Sequence, residues 1–232
     1  MTAPPAVSRR RRAITHYWPK VKLLYEQARE FHRCDWMLGT SGNLSVKVSD
    51  DPLTIAVTAS GRDKGSLTAH DIVLVNDRCE LVGPRRTTRA PTAKPSAETA
   101  IHLALYRRLH DCGAVFHVHT LYATALTSRL PEGAGRHAFE VARLEMLKGF
   151  NIWEQHPSVT LPVFPNWLDI DRLSRDIDTY VTRPPRVPAL LIAHHGLTAW
   201  GRDAAEAEKH TELTEFICRY LWTIDAQPVV RH

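Results

Sequence analysis

The sequence predicts one α/β domain with a sheet covered by helices on both faces. Three observations predict it. The 232 residues with 44% hydrophobic content suffice for one substantial core; segments of helical period interleave with segments of strand period along the whole chain; and no internal repeat or low-complexity block divides it.

Taken in order, the first element is a helix over 18–34. Val21, Leu24, Tyr25, Ala28 and Phe31 recur at three-four spacing, and the helix is expected to open after Pro19. The period then changes. Leu44–Val48 alternates as a strand does, and Leu53–Val57 and Ile72–Val75 are short β-branched runs bounded by Gly, Asp or Asn. Residues 81–94 hold two prolines, three arginines and no period, which predicts a mobile loop.

A second helix follows, with Ser96 as N-cap, Thr99 where a capping box would place Glu or Gln, and a buried stripe of Ile101, Leu105 and Leu109. Ala114–Val118 is a buried strand and 121–129 a short helix. Strand 160–164, helix 168–181 and strand 189–193 come next, with 197–200 continuing that strand past Gly196. The last helix carries Leu213, Phe216, Ile217, Tyr220 and Leu221 at helical spacing behind an Asp203 cap.

Bulk properties exclude several classes. No apolar run approaches the roughly 20 residues that span a bilayer, and the basic start lacks the apolar stretch of an export signal, so neither a membrane nor export is expected. Net charge is +5, but Arg9–Arg12 supply four of those charges from a tail, 1–15, expected to be disordered. The rest, a single domain over 16–232, is nearly neutral and shows no basic face for nucleic acid. Cys34, Cys79, Cys112 and Cys218 form no CxxC pair, which fits free thiols in a reducing cytoplasm.

The chemistry is concentrated in a few of the 13 histidines. His117 and His119 sit two apart at a strand end, so both point to one face and can converge on a metal ion. An HxH pair alone fits packing as well as metal binding. His195, at the end of another buried strand and before Gly196, is a third candidate; three neutral imidazoles with open positions describe a catalytic zinc site. His194 is expected on the opposite face as a hydrogen-bonded packing residue.

Two carboxylates could serve such a metal. Glu98 lies at a helix start, which favours anions. Glu145 lies among Leu144, Met146 and Leu147, surroundings that would raise its pKa toward the range of a general acid or base. The turns TSGNLS (40–45) and TASGRDKG (58–65) can form an anion nest, with Lys64 as a point charge nearby, and neither matches a nucleotide-binding loop.

Together, SGNLS (41–45), TASGRDKG (58–65), KPSAETAIH (94–102), GAVFHVHT (113–120), FEVARLEMLKG (139–149), TLPVFPN (160–166) and HHGLTAWG (194–201) resemble the class II aldolase/adducin family in order and spacing. The resemblance implies a three-layer α/β/α fold with a mainly antiparallel or mixed sheet. It implies one zinc ion per subunit on His117, His119 and His195, and Glu145 as the main proton-transfer residue. Glu98 matches a carboxylate that ligates zinc or acts as base in the family's aldolases. Gly42, Asn43, Ser60, Gly61 and Ser96 match positions that hold a substrate phosphate.

It further implies a cytoplasmic homotetramer with sites at subunit interfaces and a small phosphorylated ketose as substrate. LEMLKG and TASGRDKG favour the family's zinc-dependent dehydration of 5-methylthioribulose 1-phosphate, a step of methionine salvage. The alternatives are a fuculose-, rhamnulose- or ribulose-phosphate aldolase or 4-epimerase, and a non-catalytic assembly module like the adducin head.

Overall fold

A computed structural model describes residues 7–82, 93–130 and 135–231. Helix α1 (Val7–Arg33) precedes a meander of β1 (Asn43–Asp50), β2 (Leu53–Thr58) and β3 (Ile72–Asn76). Then come α2 (Thr99–Arg108), β4 (Ala114–Val118), α3 (Leu121–Thr127), β5 (Arg136–Ala142) and β6 (Ser158–Phe164). The chain closes with α4 (Ile170–Tyr180), β7 (Ala189–Ile192), β8 (Gly196–Gly201), α5 (Ala204–Thr223) and β9 (Val229–Arg231).

The nine strands among the described residues form one sheet in the order β3-β2-β1-β4-β8-β7-β6-β5-β9. Only β6 and β7 pair in parallel; the sheet is therefore mixed and mainly antiparallel, as the resemblance implied. Strand alternation divides the core in two. Phe116 and Val118 of β4 pack with Leu24 and Phe31 of α1, Leu126 of α3 and Ile217 of α5, while Val115 packs on the other face with Ile101 and Leu105 of α2 and Leu173 and Ile177 of α4. Helices cover both faces, and His117, in step with Val115, belongs to the α2–α4 side.

Three expectations need correction, and two strands were not foreseen. Helix α1 starts at Val7, with Pro19 inside it, so Arg9–Arg12 lie on helical backbone and not in a disordered tail; Ala and Arg are strong helix formers that carry the helix back beyond the proline. Ser96 does not cap α2: its Oγ accepts from the Glu98 N–H at 3.3 Å, closing a turn in front of the helix, and Glu98 takes the N-cap position without a side-chain capping bond. Strands β5 and β9 had no counterpart in the sequence reading. Finally, 197–200 does not continue 189–193: β7 and β8 form an antiparallel hairpin pairing Ile192 with Gly196.

Asp203 does cap α5, accepting from the Glu206 N–H at 2.9 Å. Most of the expected loop at 81–94 lies outside the described residues. No helix among those described is long and apolar enough to cross a membrane.

Candidate metal centre

The centre of the sheet sets out the site. His117 ends β4 between Asn43 of β1 and Thr198 of β8. It is buried. Its Nδ1 lies 3.0 Å from the Leu197 carbonyl and 3.0 Å from Thr198 Oγ1. A carbonyl only accepts, so Nδ1 carries the proton and Nε2 turns a bare lone pair inward. His119 follows the strand, its N–H donating to the Trp36 carbonyl at 2.8 Å.

His195 is brought in by the β7–β8 hairpin. The left-handed residue of that turn is His194, at φ 56°, rather than Gly196. Glycine is required at 196 for another reason: a Cβ there would lie 2.3 Å from the Val118 carbonyl, so only glycine lets β8 approach β4. Threonines of α3 pin the tip. Thr127 Oγ1 accepts from the His194 N–H at 2.9 Å, and Thr124 Oγ1 donates to the His195 carbonyl at 2.9 Å. His194 itself is exposed, so the packing role expected for it is wrong.

The three imidazoles meet edge to face. His119 Nε2 lies 3.1 Å from His117 Nε2 and 2.9 Å from His195 Nε2, and Glu98 Oε1 lies 3.1 Å from His195 Nε2 and 3.5 Å from His117 Nε2. One ligand atom from each of these four residues falls within 4.8 Å of all the others. A single proton cannot satisfy an Nε2 that faces two other nitrogens. A cation among them can, and three nitrogens with one carboxylate oxygen form a donor set for a divalent metal.

Electrostatics prepare the donors. Burial pushes His119 down to about 3, helped by His117 and His195, so it is a neutral ligand at physiological pH. Burial alone would raise Glu98, but in the metal-free site His117 and His195, where they carry a proton toward it, outweigh burial and hold the carboxyl well below the ordinary range. Asn43 Nδ2 donates to Glu98 Oε2 at 2.7 Å and fixes the carboxylate.

The two glycine turns flank this group. Gly39, Thr40 and Gly42 have φ of 58°, 68° and 69°, and Gly61 has 65°. At Gly42 a Cβ would also meet the His117 carbonyl at 2.8 Å, so this turn packs directly on the ligand-bearing strand. Ser60 and Gly61 are exposed or nearly so, and the Ser60 N–H donates to the Lys94 carbonyl at 2.8 Å.

The family model of the class II aldolase and adducin N-terminal domain matches residues 22–222. The chain belongs to the class II aldolase and adducin family. Among similar family members, the methylthioribulose-1-phosphate dehydratase of Microcystis aeruginosa is 43% identical over 88% of this chain and 94% of its own length. That of Geobacillus kaustophilus is 41% identical over 87% and 90%. The fold is also that of the L-fuculose-1-phosphate aldolase of Thermus thermophilus, with a TM-score of 0.63, 21% identity and 89% and 96% of the two chains covered.

Within this class II aldolase fold, four expected ligand residues come together and two other expectations change. Glu145 opens the 3-10 helix Glu145–Phe150, is 78% exposed at its side chain, and pairs with Lys148 at 2.6 Å; it is not part of the four-residue group. The apolar flank does not bury it, because Leu147 turns inward from the 3-10 helix and Glu145 turns outward. Lys64, expected as an accessible point charge, is only 1% exposed. Sequence reasoning missed Asn43 as the partner of Glu98, and Thr198, Thr124 and Thr127 as supports of the histidines. Thr120, Thr124 and Thr127 share one face of α3 at helical spacing, a signal that could have marked them.

Proposed function

We propose that this chain is a zinc-dependent hydro-lyase that converts 5-methylthioribulose 1-phosphate to 5-methylthio-2,3-dioxopentyl phosphate, in methionine salvage. The observation that carries the reading is the convergence of His117, His119, His195 and Glu98 in a family member whose relatives bear that dehydratase's name. His117, His119 and His195, with nitrogen donors 2.9 and 3.1 Å apart, would hold zinc, with Glu98 beside them. Zinc bound there supplies Lewis-acid polarisation of the substrate's C2 carbonyl, which acidifies the neighbouring C3–H.

The chain's own groups do the rest. Glu145, oriented by Lys148, takes the proton from C3 and delivers it to the C4 hydroxyl, which leaves as water; the enol that remains tautomerises to the 2,3-diketone. The turns carrying Gly42, Asn43, Ser60 and Gly61, with Ser96, hold the phosphate. Glu98 remains ionised beside the imidazoles, as a ligand or a second base. The working unit is a cytoplasmic homotetramer, a setting that fits the four free thiols among the described residues.

Incubating zinc-loaded and chelator-stripped protein with 5-methylthioribulose 1-phosphate tests this. Zinc-dependent appearance of the diketone is expected. Release of dihydroxyacetone phosphate and a methylthio aldehyde would mean C3–C4 cleavage by an aldolase, and an altered C4 configuration would mean an epimerase; either would overturn the dehydratase reading.

A further inference from the structure

Lys64 stands next to the phosphate turns but uses its ammonium on the protein. Nζ donates to the Thr40 carbonyl at 2.8 Å and to the Arg62 carbonyl at 3.0 Å. These carbonyls belong to different turns, one before β1 and one after β2. The β1–β2 ladder ends at Ser45 and Val57, and beyond it the Leu44 N–H reaches Thr58 Oγ1 at 3.1 Å. Past that rung no bond of the β1–β2 ladder joins the two turns.

Keeping a lysine 1% exposed is costly unless its charge is engaged. Burial lowers its pKa to about 8, against the pull of Asp63 and Glu98, so the ammonium is the main form at neutral pH. Two of its three protons are committed to carbonyls. That leaves it poorly placed as the principal phosphate ligand and well placed as a cross-link behind the amides.

We propose that Lys64 is a positioning residue whose ammonium clamps the Thr40–Asn43 turn to the Ser60–Asp63 turn and so shapes the anion site that receives the substrate's phosphate. This rests on the reading of the two turns as a phosphate site. Oriented backbone dipoles bind an anion only while they converge, and the clamp sets that convergence while adding a buried positive charge behind it.

The test is calorimetric binding of inorganic phosphate to the zinc-loaded full chain. Lys64→Met should weaken phosphate at least about tenfold, the loss expected for charged hydrogen bonds, with zinc content equal to the parent's. Lys64→Ala should regain most of the loss in added methylammonium, and Lys64→Met, whose methyl group fills the space, should not. Parent affinity should fall as pH rises through about 8, a dependence absent from Lys64→Met.

Should Lys64→Met fail to fold, Lys64→Ala with and without methylammonium decides the matter. Parent-like phosphate affinity in a folded variant, or a loss that methylammonium never restores, overturns the clamp. A parent that binds no phosphate also overturns it. A parent that binds phosphate but makes no diketone overturns only the proposed reaction.

Discussion

The two regions that carry candidate catalytic groups are built in opposite ways. His117 and His119 hang from the end of one central strand, β4, and His195 from the tip of the β7–β8 hairpin, locked by Thr198, Thr124, Thr127 and the Trp36 carbonyl. Glu145 opens the 3-10 helix Glu145–Phe150 on its exposed side, its side chain held by one ion pair with Lys148. The first region is tied at several points: His119 to the Trp36 carbonyl, His117 to β8, and the hairpin tip to α3. In the second, Leu147 and Phe150 anchor the 3-10 helix in the core, but Glu145 projects from its exposed side, where an ion pair adds little rigidity. The contrast fits the proposed roles, since metal ligands need fixed geometry and a proton carrier must serve two substrate atoms in turn.

The sharpest way to break that contrast is Glu145→Gln. It should retain the parent's zinc content and lose turnover by about 10²–10⁴, the range for a general acid–base group. Diketone formation at the parent rate would remove Glu145 from the chemistry. A smaller effect is expected from Thr198→Val, which takes one of two partners from His117 Nδ1. Zinc affinity should drop about tenfold, as losing an outer-shell hydrogen bond does, measured by competition with a chromophoric chelator; unchanged affinity would mean that the Leu197 carbonyl alone orients the ring.

A separate effect, on stability, concerns the buried scaffold in metal-free protein. Burial depresses both His102 and His119 from 6.5 to about 3. Between these values the unfolded chain takes up protons that the native chain refuses, so stability is full above about 6.5 and falls as pH drops. Each histidine contributes up to about 1.4 kcal/mol per pH unit. Urea midpoints between about pH 6.5 and 4.5, above the range where most carboxylates titrate, should fall accordingly, and a flat profile would mean that these rings are not buried neutral.

Legibility in the sequence follows the same division. Period-two spacing placed His117 and His119 on one face, since strand geometry is local. The sequence marks His195 but not its hairpin: the reversal depends on His194 at positive φ and on the close approach of Gly196 to Val118 on the adjacent strand, far away in sequence. Apolar neighbours along the chain suggested burial of Glu145, yet a 3-10 turn sends successive side chains in different directions. The burial of Lys64 was invisible for a related reason: its partners, the Thr40 and Arg62 carbonyls, are backbone atoms that any residue supplies.

The most direct test of the account is the zinc content of the purified chain and of His119→Ala, measured on folded protein by elemental analysis. The four-residue centre predicts one zinc per chain in the parent and none retained in the variant, because His119 Nε2 is the nitrogen that faces both other imidazoles. Parent-level zinc in His119→Ala would contradict the metal centre.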